Sequence, residues 1–336
     1  MRVVMFSTKL YDRRSFDACN RETGHDIAFL EPRLDETTAV LATGYPAVCA
    51  FVNDQADAAV LAILASGGTR ILALRSAGYN HVDLAAAREL GIAVVRVPAY
   101  SPHAVAEFTI GLLLSLDRKI HRAWARVREN NFSLDGLLGQ GLFGKTIGVV
   151  GTGRIGNLVA RTLRSGFGCD VLASDIEPAR DLEALGVRYV THAELLSSSD
   201  IVTLHCPLNP DTHHLVDAEA IAGARPGFLL VNTSRGALVD AGALIEGLKA
   251  RQVGGVALDV YEQEGDLFFE DLSSEIIQDD VFQRLLTFPN VLVTGHQAFF
   301  TEGALQAIAQ TTLGSLSQFE AGEELTHALG PANEKD

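Results

Sequence analysis

Residues 146–175 read TIGVVGTGRIGNLVARTLRSGFGCDVLASD, and the fold is decided there. Ile147–Val150 is a short apolar run of the kind that forms a fully buried strand. The turn Gly151-Thr152-Gly153-Arg154-Ile155-Gly156 follows directly, and Leu158, Val159 and Leu163 then repeat at helical spacing. Val171–Ala173 is a second buried strand with Asp175 at its end. This is the order that a dinucleotide site needs: Gly151 permits the tight turn, Gly153 the approach of a pyrophosphate, and Gly156 the close packing of helix on strand. Arg154 and Ile155 open the helix, whose first N–H groups and positive dipole end face the phosphates. Asp175 lies about 20 residues beyond the last glycine, where an acid accepts hydrogen bonds from the adenosine ribose. An acid there repels a 2′-phosphate, and Glu177 adds no compensating base, so NAD is expected over NADP.

The chain has 336 residues, enough for two domains. A net charge of −15 argues against nucleic acid and anionic membrane surfaces as partners. No apolar run is as long as a bilayer span, and the opening MRVVMFS reads as a strand rather than a signal peptide. Cys19, Cys49, Cys169 and Cys206 are scattered without a CxxC pair and read as small buried hydrophobes in a reducing cytoplasm. His205, His213 and His214 lack the carboxylate or cysteine spacing of a metal site, and no metal is expected.

Outward from the glycine turn, strands alternate with helices in both directions. Arg2–Phe6, Asp26–Leu30, Val48–Val52, Ile71–Leu74 and Ala93–Val97 read as strands, with helices at 13–21, 57–66 and 82–90. A second series follows at Asp200–His205, Phe228–Asn232, Gly255–Asp259 and Val291–Thr294. Alternation of this kind predicts parallel sheets with helices on both faces, here two Rossmann-like doubly wound domains. Ser101 caps and Pro102 opens one long helix running from Ala104 to about Val127. After it Phe132–Gly144 is a glycine-punctuated loop, and a last helix spans Thr301 to about Ala321 ahead of a polar tail. With crossings near Tyr100 and Phe299, residues 1–100 and 299–336 form a discontinuous substrate domain, and 101–298 the dinucleotide domain.

Three polar groups follow strand ends of the second series and so share the carboxyl edge with the glycine turn: Arg235, the acids of DVYEQE at 259–264, and His296. A guanidinium, a carboxylate and an imidazole suit reduction of a 2-oxo acid. The arginine fork holds the substrate carboxylate; the imidazolium protonates the carbonyl oxygen; the carboxylate orients the ring. Spacing alone does not choose between Glu262 and Glu264.

At these residues the sequence resembles the D-isomer-specific 2-hydroxyacid dehydrogenases. The resemblance rests on VGTGRIG at 150–156, HCPL at 205–208, NTSRGALVD at 232–240, DVYEQE at 259–264 and GHQAF at 295–299. It implies Arg235 as carboxylate clamp, Glu264 as partner of the acid/base His296, and Asp259 near the nicotinamide. It also implies Cys206, Pro207 and Thr233 on the cofactor, the backbone N–H groups of Ala77 and Gly78 on the substrate carboxylate, and Tyr100 and Phe299 around the substrate side chain. DLFFED at 266–271 and Gly295 before the histidine are similar to the fermentative D-lactate branch, which implies NAD, pyruvate, hinged domains closing on the substrate across a cleft, and a homodimer or homotetramer. Two alternatives stay open: another small 2-oxo acid as substrate, and an NAD-sensing binding protein that keeps the fold.

Overall fold

The computed structural model describes residues 1–330; the end of the expected polar tail, 331–336, lies outside the described residues. The chain divides into two compact units, Met1–Ser101 with the chain from Phe300 onward, and Pro102–Phe299.

In the first unit β1 (Arg2–Met5), β2 (Asp26–Phe29), β3 (Ala47–Ala50), β4 (Ile71–Leu74) and β5 (Ala93–Val95) form one parallel sheet in the order β2-β1-β3-β4-β5. β3 and β4 are buried along their whole length, which explains runs such as AVCA and ILAL that do not alternate. The last helix, Glu302–Ala321, packs on the helix Leu10–Thr23 of the same unit. Its ends are set chemically: the Thr301 hydroxyl accepts from Ala304 N at 3.3 Å, and Gly322 stops it in the left-handed conformation.

Strand order reverses between β1 and β3, where a buried polar cluster sits at the carboxyl ends. Asp54 accepts from Ser7 Oγ (2.5 Å) and from the backbone N–H groups of Leu34 (2.9 Å) and Phe51 (2.5 Å). Arg75 donates to the Ser7 carbonyl at 2.7 Å, approaches Asp12 at 3.4 Å and lies over the Phe51 ring. Burial raises the Asp54 carboxyl above its ordinary range, opposed by the Arg75 charge and these hydrogen bonds. The cluster anchors the start of the turn 76–78.

The second unit carries β6 (Thr146–Val150), β7 (Asp170–Ser174), β8 (Arg188–Tyr189), β9 (Ile201–Leu204), β10 (Phe228–Asn232), β11 (Val253–Leu258) and β12 (Val291–Val293). All pair in parallel, in the order β12-β11-β10-β9-β6-β7-β8. The order reverses between β6 and β9, and in such sheets ligands bind at the carboxyl ends beside that reversal. β8, two residues at the sheet edge, is too short to leave a periodicity in the sequence.

One expected element differs. Instead of one helix to Val127, the structure has Pro102–Arg118 and then Ile120–Arg128, broken at Lys119 in the left-handed region (φ 53°). Leu112, Leu113 and Leu116 of the first helix enter the core, whereas the second helix buries nothing. Compensating bonds hold the break. Asp117 accepts from Gln140 N (2.8 Å) and Gly141 N (3.0 Å), and Lys119 Nζ donates to the Leu138 carbonyl at 2.7 Å. The glycine-punctuated loop is thereby tied to the break, and a Cβ at Gly139 would stand 2.7 Å from the Asp117 carbonyl. Among the described residues no helix is long and apolar enough to cross a membrane.

The buried Asp117 carboxylate carries two backbone donors, so Asp117→Ala should cost about 1–3 kcal/mol in urea unfolding. It should also open the segment 132–143 to limited proteolysis; unchanged stability and cleavage would show that the loop is held otherwise.

Candidate active site

The glycine turn is built by contacts that exclude side chains. Gly151 has φ 85°, and a Cβ there would lie 2.5 Å from Cys206 N. At Gly156 a Cβ would lie 1.9 Å from the Gly151 carbonyl oxygen and 3.2 Å from His205 Cβ. The turn after β6 is therefore pressed against the segment after β9, at the reversal of strand order. Gly153, by contrast, has open space where its side chain would be, and it caps Arg154–Gly166 without a side-chain hydrogen bond. Arg154 is exposed and Ile155 half-buried at the first turn. An uncapped helix end behind a cradle that a Cβ would fill fits a pyrophosphate.

Asp175 follows β7 as expected, and its carboxylate meets this turn. Oδ2 accepts from Thr152 N, in a short contact, and from Thr152 Oγ1 at 3.0 Å, while Oδ1 accepts from Glu177 N at 3.1 Å. Burial raises its pKa, but the hydrogen bonds from Thr152, Glu177 and Ile176 outweigh it, and the net shift is downward. An ionised carboxylate beside the turn suits ribose hydroxyls and opposes a phosphate. Thr152 in turn accepts from Tyr189 Oη at 2.9 Å, and that phenol oxygen accepts from Ala179 N at 2.9 Å. Tyr189 thus belongs to the wall of the site, although nothing in its sequence context marked it.

Cys206 is buried beside the turn; burial pushes its thiol up to about 11, and its carbonyl accepts from Ser234 Oγ at 2.7 Å. Pro207 accepts from Thr212 Oγ1 at 2.7 Å. Thr233 shares a 2.7 Å hydrogen bond with Thr109, a polar residue on the otherwise apolar face of the helix after Pro102.

On the neighbouring strands a second set converges. Asp259, wholly buried at the end of β11, accepts from Thr294 Oγ1 (2.5 Å), Gln297 N (2.9 Å) and Ala298 N (2.8 Å), and its own carbonyl accepts from His296 N at 2.7 Å. Burial raises this carboxyl despite those bonds and the adjacent His296. Its carboxylate is thus committed to the turn carrying His296. His296 Nδ1 meets Glu264 Oε1 at 2.7 Å, and Glu264 Oε2 accepts from Tyr261 N at 2.9 Å. Glu262 faces elsewhere, with Oε1 2.6 Å from His214 Nε2. Geometry therefore separates two acids that spacing alone left equivalent. Phe269 and Phe299 flank the His296 ring, with centroids 5.6 and 6.4 Å away. Arg235 follows β10, Nη1 donating to the Ser234 carbonyl and its own carbonyl accepting from Asn232 Nδ2. The next residue, Gly236, sits where a Cβ would be 2.0 Å from the Tyr261 carbonyl carbon, so the arginine turn lies against the loop of Glu264.

Ala77, Gly78 and Tyr100 belong to the first unit. There the Ser76 carbonyl accepts from Val97 N (3.2 Å) and the Ala77 carbonyl from Arg96 Nη1 (3.2 Å). A trans peptide aims its N–H opposite to its C=O. The Ala77 N–H therefore points away from Val97 and the Gly78 N–H away from Arg96.

Residues 110–298 match the NAD-binding domain of the D-isomer specific 2-hydroxyacid dehydrogenases. The chain belongs to that family. It is 57% identical to 2-hydroxyacid dehydrogenase homolog 1 of Schizosaccharomyces pombe, over 95% of this chain and 96% of that one. It is 50% identical to D-lactate dehydrogenase of Escherichia coli, over 98% and 100%. Among solved structures, the pyruvate reductase of Chlamydomonas reinhardtii superposes with a TM-score of 0.91 at 45% identity, covering 97% of this chain and 98% of that one. The chain is thus an NAD-dependent dehydrogenase of the D-2-hydroxyacid family, and the turn 151–156 lies within its NAD-binding domain.

Asp175→Ala should weaken NADH binding and narrow the preference for NADH over NADPH. Fluorescence titration with both cofactors measures this; equal affinity for the two in the unaltered dehydrogenase would remove Asp175 from that role.

Proposed function

We propose that this dehydrogenase reduces pyruvate to D-lactate, with His296 as acid/base, Glu264 as its partner and Arg235 as the clamp for the substrate carboxylate. The observation that carries the reading is the 2.7 Å His296–Glu264 contact, held by Asp259 on the sheet edge that also bears Arg235. NADH, when bound, supplies a hydride to the carbonyl carbon. His296, protonated at Nε2, gives a proton to the carbonyl oxygen, and Glu264 at Nδ1 stabilises the imidazolium beforehand and fixes the ring. Arg235 binds the carboxylate through two parallel N–H donors and so fixes which face of the carbonyl is presented. Phe299, beside the His296 ring, limits the substrate side chain, and the family resemblance assigns Ala77, Gly78 and Tyr100 of the first unit to the substrate. Gly151, Gly153, Arg154, Ile155, Gly156, Asp175, Cys206, Pro207 and Thr233 serve the cofactor, whereas Asp259, which the resemblance sets near the nicotinamide, holds the His296 turn. The Escherichia coli and Chlamydomonas reinhardtii relatives, by their names, support pyruvate and D-lactate.

Self-association belongs to the same proposal. Trp124, Phe132, Leu134, Leu138 and Phe143 are all largely exposed, Leu138 and Phe143 at 88%, on the segment that follows the helix break. Apolar side chains exposed in this number along one segment mark an interaction surface, and a second copy of this chain covers them in a closed homo-oligomer. Leu134→Glu, at a side chain 82% exposed, should leave the fold intact and shift sedimentation toward the monomer; a wild-type monomer would defeat this part.

The decisive assay follows NADH oxidation with a panel of 2-oxo acids and determines the handedness of the product. Pyruvate should lead, 2-oxobutyrate follow with a modest loss because one methylene is worth only about 1–3 kcal/mol, and branched acids fall further. L-lactate as product, preference for a branched acid, or no turnover with any 2-oxo acid would each refute the assignment. His296→Ala should lower kcat by about 10²–10⁴-fold with NADH binding retained. In Glu264→Gln a neutral amide replaces the carboxylate that holds the His296 ring, so kcat should fall while NADH binding is retained. An unchanged kcat would give the orienting role to another group.

A further inference from the structure

Outside the proposed active site, one cluster among the described residues brings two adjacent histidines to an acid far along the chain. His213 and His214 follow β9, and Glu262 follows β11, 48 residues beyond His214. Their donor atoms lie within 4.8 Å of one another. We propose that His213, His214 and Glu262 bind one divalent ion of the zinc class at the carboxyl edge of the seven-stranded sheet.

Two of the three donors already face each other, and an ion between them must part them. His214 Nε2 stands 2.6 Å from Glu262 Oε1, and both side chains are half-buried. The backbone beneath them is locked. His214 N donates to the Ala237 carbonyl at 2.8 Å, Val216 N to Leu238 at 3.0 Å, and Gly236 packs directly on Tyr261 and Glu262. His214 is held at φ 52°, a left-handed conformation that non-glycine residues rarely adopt. His213 completes the set from an equally fixed base. Its N–H donates to the Asn209 carbonyl at 2.9 Å, and Thr212 beside it is bonded to Asn209 and Pro207.

Donor chemistry selects the ion. Two imidazoles and one carboxylate suit Zn²⁺, Ni²⁺, Co²⁺ or Cu²⁺, whereas Ca²⁺ and Mg²⁺ require oxygen shells. Bonds of about 2.0–2.1 Å in a tetrahedron put ligand atoms roughly 3.3 Å apart. The imidazoles stack with centroids 4.0 Å apart and planes 28° from parallel, so the His213 ring must swing inward to aim its lone pair at the ion. His213 is exposed and has the room to do so. The ion takes the place of the proton shared by His214 and Glu262, and water fills the remaining position. Once bound, it links the segment after β9 to the loop that carries Asp259 and Glu264.

The test uses the full-length protein freed of metal by a chelator and titrated with Zn²⁺ by calorimetry and thermal unfolding. One equivalent should bind per chain and raise the unfolding midpoint. His213→Ala, a surface change, should leave metal-free turnover unaltered and weaken Zn²⁺ at least about tenfold, since even residues behind a ligand are worth 10–100-fold. Glu262→Gln should weaken it likewise, while Cys19→Ser should not. No binding up to millimolar Zn²⁺, or affinity unchanged in His213→Ala or Glu262→Gln, would overturn the site whatever the outcome with pyruvate.

Discussion

A carboxylate with no exposed surface must be fully hydrogen-bonded or it destabilises the fold, and Asp259 meets that demand by collecting the chain that carries His296. Three donors from Thr294, Gln297 and Ala298 end on its two oxygens, and its carbonyl takes the His296 N–H. The turn after β12 is thus fixed to the end of β11 by polar bonds in a dry setting, where each is strong and leaving one unmade is costly. Glu264 then needs only to close a three-residue loop onto Tyr261 N to reach the imidazole. The precision of the His296–Glu264 pair is inherited from Asp259 rather than generated by the pair.

The same logic in apolar form governs the other half of the edge. Gly151 and Gly156 let the chain after β6 and the chain after β9 come into backbone contact. A methyl group at either position meets main-chain atoms, which cannot rotate away as a side chain can. His205, half-buried beneath this contact, is pushed down to about 3 by desolvation. It is therefore a neutral spacer bonded to Thr203 at 2.8 Å.

What the sequence reveals, and what it hides, follows from the range of the interaction concerned. Strands buried on both faces, glycine turns and acids at strand ends leave local signatures, so both sheets and the family could be read at 146–175 and at NTSRGALVD. The break at Lys119 is different. Propensity over 104–127 favours one helix, and what ends it is a bond from Asp117 to residues 23 and 24 positions later. Tyr189 and Thr109 escape notice for the same reason, since each is identified by a partner far along the chain. The choice between Glu262 and Glu264 lay beyond spacing because both stand on one loop. Apart from the family resemblance, it takes the positions of His214 and His296 to tell them apart.

Strain marks the same edge. Three non-glycine residues in its loops have positive φ: His214 at 52°, Phe269 at 68° and His296 at 53°. Glycine would relieve each of them, yet at each position the side chain has a contact that glycine cannot make. His214 meets Glu262, His296 meets Glu264, and the Phe269 ring flanks His296. At about 1–2 kcal/mol per residue the backbone cost is of the same order as one charge-assisted hydrogen bond. The conformation persists because the surrounding bonds over-determine it. An imidazole on a left-handed residue projects from a turn too tight for regular structure, between two buried anchors, and its ring can be fixed without a long, mobile loop. The rigidity of the site is thus obtained locally, from backbone strain held by a buried carboxylate.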